Sequence, residues 1–104
     1  MDGTTWDHVD RLRDWLDAES AVTGDMAKVM RVLKIGEEFG EVAEALHGAM
    51  GTNPRKGASH TFDDVQKELC DVTITALIAL ASLTPDARKV FEERLQHIAD
   101  RSLT

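Results

Sequence analysis

Apolar residues recur every three or four positions through nearly the whole chain, and no stretch alternates with the period of two that a strand requires. Val9, Leu12 and Leu16 mark a first apolar face that Trp6 and Trp15 extend, while Asp7, Asp10 and Asp14 turn away; this predicts a helix from Thr5 to Ser20. Gly24 and Asp25 suit a turn and a new N-terminus, and Gly51 a C-terminal stop, for a second helix ending at Met50. Residues 51–60 (Gly-Thr-Asn-Pro-Arg-Lys-Gly-Ala-Ser-His) are rich in turn formers and predict a loop. Thr61 can cap a third helix that carries Asp64 in its first turn and reaches Leu83. Thr84-Pro85-Asp86 reads as the next cap, with proline at the first helical position. Ala87, Phe91, Leu95 and Ile98 then form the inner face of a last helix. Four helices with no strand predict an all-α fold resembling a four-helix bundle, in one domain over residues 1–104.

The middle helices carry polar residues in an unexpected place. At about 100° per residue, the third helix is apolar over most of its circumference from Leu69 onward, yet Asp64, Glu68, Asp71, Thr75 and Ser82 fall within one arc. The second helix places Ile35, Phe39, Val42 and Leu46 on one side and Lys34, Glu37, Glu38, Glu41 and Glu44 on the other. A helix apolar nearly all round is expected to be buried. Buried carboxylates are costly unless they are paired or bind a cation, so Glu68 and Asp71 need partners.

Composition narrows the function classes. The net charge of −7 argues against sequence-independent contact with DNA or RNA, which needs a basic surface. Cys70 is the single cysteine, so no intramolecular disulfide forms, which suits a reducing cytoplasm. Residues 1–10 are acidic and lack the apolar run of a signal peptide. The longest apolar stretch, Leu69 to Leu83, is too short and too polar for a membrane span.

Glu38 with Glu41, and Glu68 with Asp71, are both i, i+3 pairs, and such residues have Cβ atoms roughly 5–6 Å apart. If the two middle helices pack antiparallel, four carboxylates converge on a small volume. Without a cation, mutual repulsion would raise their pKa values or splay the helices. An all-oxygen donor set suits Mg²⁺, with Mn²⁺ as the alternative, and magnesium is commonly shared with substrate phosphates. Zinc is disfavoured because no Cys/His set has ligand spacing. A di-iron bundle would need Glu-x-x-His on two helices, and only Glu44 with His47 has that spacing.

Glu37-Glu38-Phe39-Gly40-Glu41 followed by Glu68-Leu69-Cys70-Asp71 resembles the EExxE…ExxD signature of the MazG family. That family belongs to the all-α nucleoside triphosphate pyrophosphohydrolases, with dimeric dUTPases and dCTP pyrophosphatases. The likeness runs from Val29 to Leu83. It implies helical hairpins assembled as a homodimer or homotetramer, and cleavage of a (deoxy)nucleoside triphosphate between the α and β phosphates to a monophosphate and pyrophosphate. In family terms Glu38, Glu41, Glu68 and Asp71 would be Mg²⁺ ligands. Glu37 would be a further ligand or the group that orients or deprotonates the attacking water. The implied biological sense is housecleaning of the nucleotide pool.

Other residues carry two readings each. Lys34 is either an i, i+4 partner of Glu38 or a phosphate contact. Arg55 and Lys56 contact phosphate if the loop folds back over the acids, and are otherwise a solvent-facing turn; residues 51–57 are not a P-loop. Trp15 and Trp6 are read as core or subunit contact before base stacking. His47 and His60 are read as surface residues, with a substrate phosphate contact as the alternative for His60, and Cys70 as a small buried hydrophobe. Thr75 either supports Asp71 or bonds back to its own helix. No side chain can be assigned to base recognition from the sequence. Two rival functions stand beside the hydrolase: a non-enzymatic helical dimerisation module, and a pyrophosphohydrolase acting on a phosphoribosyl nucleotide.

Overall fold

The computed structural model describes residues 1–103 as four helices: α1 (Gly3–Glu19), α2 (Gly24–Met50), α3 (Phe62–Leu83) and α4 (Ala87–Leu103). No strand occurs among the described residues; an isolated bridge between Asn53 and Gly57 closes the tip of the α2–α3 loop. The helix ends follow local chemistry. Asp2 caps α1 by accepting from the Thr5 amide at 3.1 Å, so the helix starts two residues before the predicted Thr5. Gly51 ends α2 in the left-handed region (φ 65°), where a side chain would be strained, and the Thr52 amide donates to the His47 carbonyl. Thr61 and Asp64 form a reciprocal capping box at α3: each side chain accepts from the other residue's amide. Pro85 lies in the turn before α4 rather than inside it, and the Thr84 hydroxyl accepts from the Asp86 amide at 3.1 Å.

Helices α2 and α3 form the principal hairpin. Arg31 reaches Ser82, Glu38 and Glu41 meet Glu68, and Gly48 lies against His60, so the two run antiparallel. Gly48 has to be small, since a Cβ there would collide with the His60 ring and stand 2.7 Å from the Ser59 hydroxyl. The core lies at the other end of the hairpin, where Trp6 and Val9 of α1 pack on Leu77 and Ala81 of α3 and Ala87 of α4. The Trp6 and Phe91 rings meet at 5.9 Å and 57°, a tilted pairing that favours edge contact.

Several apolar residues stand elsewhere than expected. Leu12 and Trp15 are exposed, and the buried face of α1 is Trp6, Val9, the half-buried Arg13 and Leu16. On α2 the inward stripe is Ala27, Arg31, Ile35, Glu38, Val42 and Ala45, while Phe39 (64% exposed), Leu33 and Leu46 look outward. Cys70 is exposed, not buried. Helix α4 turns 118° from α3 and docks through its first turns, leaving Leu95 and Ile98 exposed where an inner face was expected. The molecule is accordingly flat, 47 × 45 × 22 Å, with a radius of gyration of 16.5 Å against about 13 Å for a compact domain of this length. No single helix is long and apolar enough to cross a membrane.

Candidate functional site

The polar arc read on α3 faces α2: Asp64, Glu68, Asp71, Thr75 and Ser82 are all half-buried. Across from it, Glu38 lies on the inward stripe of α2, between Ile35 and Val42. One carboxylate oxygen from each of Glu38, Glu41 and Glu68 falls within 4.8 Å of the others. Asp71, one turn beyond Glu68, stands outside that group, yet its charge acts on both Glu38 and Glu68.

The electrostatics are those of an uncompensated cluster. Burial, followed by repulsion from Glu41, pushes the Glu38 carboxyl above the ordinary glutamate range. Glu68 is pushed the same way by burial and then by Glu41 and Asp71. The nearby cations do little to balance this. Lys67 opposes the rise at Glu68 and Lys34 the rise at Glu38, but the ion pair of Lys34 is with Glu37 at 2.9 Å and not with Glu38, one of the two partners read for it. The hydrogen bond to Glu37 is the main reason the Lys34 pKa is raised.

One oxygen of the cluster lacks a partner. Glu68 Oε2 is shielded from solvent and has no hydrogen-bond partner among the described residues; the Trp6 indole nitrogen is the other such side-chain atom. Native proteins satisfy almost all buried polar groups. A carboxylate can only accept when ionised, and its neighbours Glu38 and Glu41 bring more acceptors. An oxygen-only donor set of this kind is one that could hold a hard divalent cation between Glu38, Glu41 and Glu68; Asp71 is not among the converging oxygens.

A cavity of about 490 Å³, within the range of small-molecule sites, is lined by Lys34, Glu37 and Thr75, each within one helical turn of an acid of the arc, and by none of Glu38, Glu41, Glu68 and Asp71 themselves. Its walls are mostly apolar (Leu16, Val22, Met30, Ile78), with Lys34, Glu37 and Thr75 on the side toward the acids and Arg31 further along α2. Thr75 therefore borders the cavity, and the back-bond to the preceding turn belongs to Thr73, whose hydroxyl donates to the Leu69 carbonyl at 2.7 Å. Arg55 and Lys56 border a separate cavity at the loop end with His47 and Ser59. Lys56 comes within 3.8 Å of Glu44, and the Arg55 amide donates to Asn53 Oδ1 at 2.9 Å.

Two residues escaped the sequence reading. Arg31, its side chain only 12% exposed, pairs with Asp17 of α1 at 2.7 Å and donates to Ser82 Oγ at 3.0 Å. Arg13 donates to the Ala81 carbonyl in the last turn of α3. The signal for Arg31 was its place four residues after Ala27 and four before Ile35, on the stripe that leads to Glu38. Compared with protein-family models, curated proteins and solved structures, the chain matches none.

Proposed function

We propose that this chain is a Mg²⁺-dependent nucleoside triphosphate pyrophosphohydrolase of the MazG type, releasing pyrophosphate and a (deoxy)nucleoside monophosphate. The observation that carries the reading is the cluster of Glu38, Glu41 and Glu68 with its orphaned Oε2; a cavity of ligand size bordered by the neighbouring Lys34, Glu37 and Thr75 supports it. Bound Mg²⁺ would neutralise phosphate oxygens and the charge that develops as the α–β bridge breaks. The chain's own groups divide the remaining work. Glu38, Glu41, Glu68 and Asp71 would hold the cation. Glu37 borders the cavity beside them and is the group to orient the attacking water, with Lys34 fixing its carboxylate and facing the substrate. Arg55 and Lys56 would meet a phosphate chain only where it runs past Glu41 toward Glu44.

The proposal includes a homodimer or homotetramer, supported by the outward Phe39 and Leu33 of α2 and the uncovered Leu95 of α4. Housecleaning of a cytoplasmic nucleotide pool is the biological role this chemistry would serve. The same exposed faces favour the second reading, a helical dimerisation module without catalysis. The test is pyrophosphate release from a panel of ribo- and deoxyribonucleoside triphosphates with Mg²⁺, repeated in excess EDTA. Metal-dependent release with the monophosphate as co-product is expected. Release from a phosphoribosyl nucleotide alone would shift the substrate class, and no release from any substrate would leave the dimerisation module.

A further inference from the structure

Helix α2 carries a second apolar seam, and the chain leaves it exposed. Val29, Val32, Gly36, Phe39, Ala43, Leu46 and Met50 repeat in alternating steps of three and four, an unbroken heptad pattern over roughly 30 Å of helix. The large residues Val29, Val32, Phe39, Leu46 and Met50 are each between 43% and 64% exposed. This seam stands apart from the inward stripe that leads to Glu38, and from the cavity flank of Met30, Lys34 and Glu37. It continues onto α3 at Leu83, which shares a shallow apolar groove with Lys28, Val29, Val32 and Leu33. A period of 3.5 residues keeps one face of a helix against a neighbouring helix along its whole length. Glycine weakens a helix interior, yet a Cβ at Gly36 or Gly40 would meet nothing within 4 Å, so nothing inside the chain requires either.

The seam is complementary to itself. Two copies of α2 can cross antiparallel about a two-fold axis between Glu37 and Glu38, which pairs unlike heptad positions. Phe39 of one copy then lies over Gly36 of the other, Val32 over Ala43, and Leu46 over Val29 beside the groove at Leu83. Large side chains meet small ones, as close packing requires. A parallel pair would set Phe39 on Phe39 and Gly36 on Gly36, a clash beside a void. Charge agrees with the antiparallel choice. The chain carries −7, yet the seam holds no acid: Glu37, Glu38, Glu41 and Glu44 all lie elsewhere on α2. The antiparallel pair also sets the half of α2 with Lys28, Arg31 and Lys34 alongside the half with those four glutamates.

We propose that the Val29–Met50 face of α2 is a homodimer interface in which two copies of α2 pair antiparallel, Phe39 against Gly36. The oligomer belongs to the reading above; the face, its orientation and its register go beyond it and need no catalysis.

Sedimentation equilibrium over a concentration series tests the face, with circular dichroism reporting the fold. The wild-type chain should dimerise. Phe39→Glu should raise the dimer Kd by about 30-fold or more, the effect of losing an interface anchor. Gly36→Leu separates association from folding, because leucine is the better helix former and has open space in the single chain. It should keep the helicity and thermal stability of the monomer while weakening the dimer by about tenfold or more. Orientation is read with spin labels on Asp25→Cys, whose position is fully exposed, in a Cys70→Ser background. The labels should lie roughly 40 Å apart in the antiparallel pair, against about 10 Å in a parallel one. A wild-type chain that stays monomeric, an unchanged Kd in either variant, or the short label distance would each overturn the assignment. Association is measured without nucleotide, so a dimer that releases no pyrophosphate keeps the seam and removes the hydrolase. Mg²⁺-dependent release from a monomeric wild-type chain does the reverse.

Discussion

The α2–α3 interface contains two polar patches about two helical turns apart, and they are built on opposite terms. Around Arg31 every charge has an answer: Asp17 and Ser82 take Nη1, while Arg13 meets Asp10, Asp14 and the Ala81 carbonyl. Helix α3 has no basic residue in its last turn, so these two arginines also supply the positive charge that its C-terminus favours. Around Glu68 three carboxylates crowd together, two have raised pKa values, and one buried oxygen has no partner. The first is a clamp between helices; the second gathers like charges that no ion pair among the described residues offsets.

The comparison can be broken from either side, and the largest effect should come from the acids. Glu38→Gln or Asp71→Asn should lower metal-dependent turnover by about a hundredfold or more, while circular dichroism still reports a folded helical protein. Wild-type rates in either variant would remove these residues from the site. Next comes the metal itself. Saturating Mg²⁺ at about a hundred times its dissociation constant should raise unfolding free energy by roughly 2.7 kcal/mol, and Glu68→Gln should abolish the gain. In EDTA the metal-free chain should lose stability as pH rises from below the ordinary glutamate range through the raised values of Glu38 and Glu68. An acid held protonated by the fold contributes fully at low pH, and that contribution disappears when it must ionise in place. A flat profile across that window would show the cluster to be relaxed in water.

The clamp should respond more mildly. Arg13→Met removes a charged hydrogen bond to the Ala81 carbonyl, worth about 1–2 kcal/mol, whereas its ion pairs to the exposed Asp10 and Asp14 add little. Urea unfolding at neutral pH measures it, and Mg²⁺ stabilisation should persist in the variant. The smallest effect belongs to the α3 cap, where Thr61→Ala should cost about 1 kcal/mol. Asp64 in that cap has its pKa lowered by the Thr61 amide, so its contribution has the opposite pH sign: present at neutral pH and lost as pH falls through the depressed value. Asp64→Asn should delete that acid-side loss and leave the alkaline-side behaviour in EDTA intact.

Much of this was legible in the chain, for reasons tied to particular residues. Gly51 and the Thr61–Asp64 pair declare helix ends by backbone chemistry alone, and the i, i+3 spacing of Glu38 with Glu41 puts both toward Glu68 once the hairpin closes. The orientation of α2 was not legible. Its inward stripe keeps Ile35 and Val42 of the expected face but otherwise consists of Ala27, Ala45 and two charged residues, Arg31 and Glu38, whereas the bulkier Phe39 and Leu46 face out. Hydropathy ranks side chains by size and polarity, so it cannot foresee a face chosen for close approach. Lys34 chose Glu37 over Glu38 because Glu38 is turned into the interface, a fact of tertiary packing. Arg31 gains its meaning from Asp17 and Ser82, both distant along the chain.

The 118° turn at Thr84–Asp86 has a further consequence for how the molecule breathes. Helix α4 is anchored by Ala87 and Phe91, and Leu95, Ile98 and Leu103 in its later turns are exposed. Local opening costs least where few apolar contacts are lost. Amide protons beyond Leu95 should therefore exchange with solvent deuterium well before those around Leu77. A protease should be able to trim the chain from its C-terminal end while the acid-bearing hairpin keeps its protection. Slower exchange there at higher protein concentration would be the signature of a second copy lying against the arm.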